Sequence, residues 1–128
     1  MIDIVEHIED YIDFLRKVKD CAEYKIFNFP LEIFAAKAIL SGKYHESRKN
    51  FGHIHYFNKQ ICLDVLADLG YEILEAKYAP SAIDLTETST SMSSMSRWAK
   101  FPRQLLALIS EDLTAKLLGG YSLFILSR

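Results

Sequence analysis

Asn58-Lys59-Gln60-Ile61-Cys62-Leu63-Asp64-Val65-Leu66-Ala67-Asp68-Leu69-Gly70-Tyr71-Glu72-Ile73-Leu74-Glu75-Ala76-Lys77-Tyr78 passes from a helical to an extended pattern across one glycine. Asn58 suits an N-cap, where a side-chain oxygen accepts from the first helical turn. Ile61, Cys62, Val65, Leu66 and Leu69 recur at three- and four-residue steps, the spacing of one helix face. Gly70 supplies the left-handed residue that ends a helix, and Tyr71 to Tyr78 then reads as a strand. Helix, glycine stop and strand in quick succession form the αβ unit of a layered α/β fold.

The same alternation continues outward. Residues 4–19 predict an amphipathic helix through Ile4, Val5, Ile8, Ile12, Leu15 and Val18, capped by Asp3 with Glu6 at capping-box spacing. Tyr24 to Phe29 predicts a short strand stopped by Pro30, and Leu31 to Leu40 a helix too apolar to be fully exposed, ended by Gly42. Lys43 to Asn50 is polar and reads as a surface loop. Residues 86–96 are nearly all Ser, Thr and Met, a composition that cannot drive burial, and predict a mobile loop. Pro102 suits the first turn of a helix to Ile109, a further helical turn or two runs from Glu111, and Tyr121 to Leu126 is an apolar strand suited to a sheet interior. The order predicts an α/β sheet with helices on both faces, in one domain, with the last strands antiparallel and hairpin-like.

The composition narrows the function. The chain has 128 residues, half of them hydrophobic, and a formal net charge of −2, so no basic field draws nucleic acid. No apolar run approaches the ~18 residues of a membrane span. Asp3, Glu6, Glu9, Asp10 and Asp13 give the amino terminus the wrong charge for a targeting peptide, which places the chain in the cytoplasm. Cys21 and Cys62 stand far apart and read as two reduced, buried thiols.

Asp3-Ile4-Val5-Glu6-His7-Ile8-Glu9-Asp10 resembles the D-V-x-E-H-x-x-D segment of class I, Rossmann-like S-adenosylmethionine-dependent methyltransferases, of the type 11/23 kind. Tyr24 to Pro30 is similar to their fifth strand, and Gly52-His53-Ile54-His55-Tyr56-Phe57 to their G-H-x-x-x-F segment. Leu69-Gly70-Tyr71-Glu72 resembles the joint into the sixth strand, and Leu117-Leu118-Gly119-Gly120-Tyr121 the turn into the seventh. The resemblance implies a carboxy-terminal half, strands four to seven, of a partial methyltransferase domain with a small-molecule acceptor. It puts Ile2, Asp3 and His7 at the methionine end of S-adenosylmethionine. Glycines occur only at 42, 52, 70, 119 and 120, without a G-x-G turn for the cofactor. The chain alone is therefore expected to be truncated, to bind the cofactor weakly or not at all, and to be inactive.

His53 is the first candidate base and His55 the second, because imidazole titrates near neutrality and takes an acceptor's proton. In an extended segment both rings would share a cleft. The plainer reading has these rings satisfying backbone groups, with Glu6 as a cap. Phe29 and Tyr56, with Phe27, Phe57 and Tyr78, are candidates for an acceptor pocket, against an ordinary aromatic core. A metal on His45, Glu46, His53 and His55 is the weaker alternative, since His-x-His alone is unspecific and lacks visible outer partners. No metal is expected. The alternative to an enzyme is a non-catalytic α/β assembly module, completed by a second copy or a separately encoded amino-terminal half.

Overall fold

A computed structural model of the protein describes residues 1–40, 42–80 and 94–128. Its elements run α1 (Tyr11–Val18), β1 (Lys25–Pro30), α2 (Ala35–Ile39), α3 (Lys43–Phe51), α4 (Lys59–Asp68), β2 (Ile73–Pro80), α5 (Ser94–Ala107), α6 (Glu111–Leu117) and β3 (Tyr121–Ser127). The class is mixed α/β, with a three-stranded sheet of order β1-β3-β2. β3 pairs antiparallel with both neighbours, so β1 and β2 point the same way. β2 and β3 are antiparallel as expected but form no hairpin, because α5 and α6 intervene. Outside this sheet, Ile2 makes a parallel bridge to Asn28 of β1.

The apolar run of β3 earns its central place. Phe27 and Phe29 face Ile125 and Leu123 across the ladder, and all four are buried. Leu15, Phe57, Cys62, Leu66 and Tyr71 belong to the same core. Each large side chain buried there contributes about 1.5–3 kcal/mol over an exposed one. On the opposite face Ile26 is 54% exposed, so the described residues do not show a sheet sealed on both faces. Among the described residues no helix is long and apolar enough to cross a membrane.

The Asn58 helix forms as read. Asn58 Oδ1 accepts from the Ile61 amide at 2.9 Å, Cys62 and Leu66 point into the core, and Gly70 takes φ +78°.

Several expectations are corrected. The helix does not begin at Asp3. Val5–His7 is a 3-10 turn, the chain extends at Ile8, and Asp10 caps α1 through the Asp13 amide at 3.0 Å. The cause is tertiary: the Glu6 carbonyl accepts from the amides of Ile54 and His55 at 3.0 and 3.1 Å, and so is diverted from a helical bond. α2 is one short turn, and Ile39 is 81% exposed despite its apolar character. Residues 43–50 are helical, not a loop. Pro102 lies inside α5 instead of opening it. Most of the Ser/Thr/Met stretch lies outside the described residues, but Ser94 to Ser96 already belong to α5. Cys62 is buried, whereas Cys21 is exposed.

Candidate functional site

The amide bonds onto the Glu6 carbonyl bring the 3-10 turn against residues 53–55. Phe57 in turn accepts from the Glu32 and Ile33 amides, both at 3.0 Å, which lays the segment after β1 alongside. Gly52 makes the entry: it caps α3 at φ +74°, a left-handed conformation that suits glycine, and its amide donates to the Arg48 carbonyl. Two polar groups meet there.

The inner group is centred on Glu32. Its Oε1 accepts from Lys37 Nζ at 2.6 Å and from Ser47 Oγ at 2.9 Å, while its Oε2 pairs with His53 Nδ1 at 2.7 Å. Lys37 is buried, donates also to Ser47 Oγ at 2.7 Å, and lies over the rings of Tyr44 and Tyr56. Tyr56 donates its hydroxyl to the Tyr44 carbonyl at 2.8 Å. Burial favours the neutral form of Glu32, but its bonds to Lys37 and His53 overcome that and hold its pKa below the ordinary value.

The outer group is Glu6, His7 and His53. The Glu6 side chain is 1% exposed, and neither carboxylate oxygen has a hydrogen-bond partner among the described residues. Burial raises its pKa, against the opposing pull of its own backbone amide, which falls short of hydrogen-bond geometry, and of His7. His7 Nδ1 donates to the Gly52 carbonyl at 3.2 Å, and its ring meets that of His53 edge-on at 5.0 Å. His7 is the exposed member, Glu6 and His53 the sheltered ones.

The remaining candidates sort by place. His55 turns away from His53: its Nε2 pairs with the Glu9 carbonyl at 3.1 Å and its ring packs on Tyr11. The two rings therefore do not share a cleft, because each has its own partner. Phe29 is 1% exposed and packs on Phe27 and Phe57, which makes it a core residue with no wall to offer an acceptor. Tyr56 does border the inner group, its ring under Lys37. Ile2 is exposed, and Asp3 accepts from Asn28 Nδ2 at 2.9 Å, both beside β1. His45 is exposed on α3 and Glu46 pairs with Lys43, so the His45-centred metal reading has no cluster.

Glu32, Lys37 and Ser47 were missed by sequence reasoning. An acidic and a basic residue in one stretch and a hydroxyl residue in the next give no pattern. The one available signal was a lysine inside the apolar 31–40 stretch. Chemically, a carboxylate on Nδ1 leaves the His53 Nε2 lone pair directed away from Glu32, the arrangement of a positioned base. Comparison with protein-family models and with curated proteins finds no match for the chain.

Proposed function

We propose that the chain is the acceptor-side half of a Rossmann-like, S-adenosylmethionine-dependent methyltransferase fold, with His53 as the base that takes a proton from a small-molecule acceptor. The observation that carries this reading is the Glu32–His53 bond of 2.7 Å, beside the Glu6-His7 turn. An ionised Glu32 fixes the proton on Nδ1 and stabilises the imidazolium formed when Nε2 accepts another. The parallel bridge from Ile2 to Asn28 supports placing the opening residues as the end of a fourth strand, next to β1. Cofactor then approaches at Ile2, Asp3 and His7, and acceptor at Tyr56 and His53.

The sequence holds no G-x-G turn, so cofactor affinity of this chain is weak on this reading. Amide NMR during titration with S-adenosylmethionine tests it. Weak binding with shifts confined to Ile2–His7 and Gly52–Tyr56 is expected. No shifts at millimolar cofactor would refute the assignment, and micromolar affinity would refute the need for a separate glycine-rich half.

A second reading, an assembly module, is favoured by the outer edge of β1, whose backbone among the described residues is bonded or bridged only by Met1 and Ile2. Such edges accept strands from partners. Light scattering discriminates: a monomer at every concentration counts against pairing between copies.

A further inference from the structure

We propose that Glu6, His7 and His53 form a binding site for one divalent transition-metal ion of the zinc class. One ligand atom from each of the three lies within 4.8 Å of the others. Tetrahedral zinc, with bonds of about 2.0–2.1 Å, separates its ligands by roughly 3.3 Å. Bound metal would draw the three side chains inward by about an ångström.

The outer bonds of the two histidines point to this use. A backbone carbonyl only accepts, so the His7 Nδ1–Gly52 bond of 3.2 Å puts the proton on Nδ1 and leaves a lone pair on Nε2. That Nε2 lies 3.9 Å from Glu6 Oε1. Glu32 does the same for His53 at Nδ1. Metal-bound histidines almost always donate their other nitrogen to a carboxylate or carbonyl, and here one has each. Glu6 supplies the independent observation. It is a buried carboxylate with no hydrogen-bond partner among the described residues, with His7 Nε2 3.9 Å from its Oε1 and a ring nitrogen of His53 within 4.8 Å. An unpaired charge in that position is costly unless a cation meets it.

The donor set decides the class of ion. Two imidazoles and one carboxylate suit zinc and its neighbours, whereas magnesium and calcium take oxygen ligands. Three protein ligands leave a position open on the ion for water or an acceptor oxygen. This inference does not rest on methyl transfer. A lone pair on His53 that holds an ion is unavailable to take a proton, so the two uses exclude each other at any one moment.

The test is calorimetric titration of the chelator-treated protein with Zn2+, together with visible absorption on adding Co2+. One equivalent bound at micromolar affinity or tighter is expected, with the intense Co2+ bands of a four-coordinate site. Glu6→Gln and His53→Gln should each weaken binding by at least about 10–100-fold, the range seen even for lost outer partners. Cys21→Ser and His45→Asn should leave it unchanged. Glu6→Gln keeps the shape of the side chain, so circular dichroism should show a fold retained. No stoichiometric binding overturns the proposal. So does binding that survives Glu6→Gln and His53→Gln, or that Cys21→Ser abolishes. If a variant fails to fold, paramagnetic shifts in the Co2+-loaded wild type decide: His7 and His53 ring protons must move most.

Discussion

Replacing Glu32 by glutamine removes one charge and keeps the shape. Lys37 then stays buried, its side chain 7% exposed, beside an amide in place of a carboxylate. Breaking a buried ion pair by removing one partner costs about 3–5 kcal/mol, because the remaining charge is uncompensated. The low end applies here. The glutamine carbonyl still accepts from Lys37 or Ser47, the Tyr44 and Tyr56 rings still face the ammonium, and the Glu32 side chain is 17% exposed. We expect a loss of about 3 kcal/mol, a large share of the roughly 5–15 kcal/mol of a typical domain. Urea unfolding reads it as a lower midpoint at unchanged slope. The companion variant, Glu32→Gln with Lys37→Met, removes the orphaned charge and should regain most of the loss, since apolar replacement of a buried pair is often neutral or better. A loss below about 1 kcal/mol in the single variant would refute the reasoning. A double variant no more stable than the single would show that the cost lies elsewhere than in the lysine.

Two further outcomes are expected. Tyr71 donates to the Leu15 carbonyl at 2.7 Å, and burial pushes its pKa up to about 12. A raised folded pKa means that its contribution is complete below the unfolded value of about 10 and is lost as pH rises from there through the folded value; alkaline unfolding in that window should shrink in Tyr71→Phe, which itself costs about 1–3 kcal/mol at neutral pH for the unpaired carbonyl. Gly119 has φ +66°, and a Cβ there would meet the Phe34 ring at 2.4 Å, so Gly119→Ala should destabilise by more than about 1 kcal/mol, and thermal unfolding at an unchanged midpoint would refute the contact.

The legible parts of this protein are those whose determinants are local. Asn58, the Ile61–Leu69 stripe and Gly70 define a helix by themselves, and the apolar run from Tyr121 announces an interior strand. α3 was unreadable for a physical reason. Its inward-facing members are Tyr44, edge-on to Tyr56, and Ser47, bonded to Lys37 and Glu32, so the buried stripe is polar and apolar periodicity is blind to it. The false start at Asp3 has a similar origin, since the backbone of Glu6 bonds to residues 54 and 55, which no local pattern encodes. At the site, His7 and His53 were singled out one at a time, but their partnership was not. The sequence reading paired His53 with His55 by proximity along the chain, whereas the fold pairs it with Glu32 and His7.

β3 joins two strands that have no ladder with each other, and it follows both in the chain. During synthesis, β1 and β2 therefore leave the ribosome as open edges, with Phe27, Phe29 and Tyr78 lacking their cross-strand partners, until Tyr121 to Ser127 emerge between them. Neither ladder can form before β3, the last of the three strands in the chain, is available. Unpaired strand edges and exposed apolar surface of that kind are what make incompletely folded chains prone to wrong pairing.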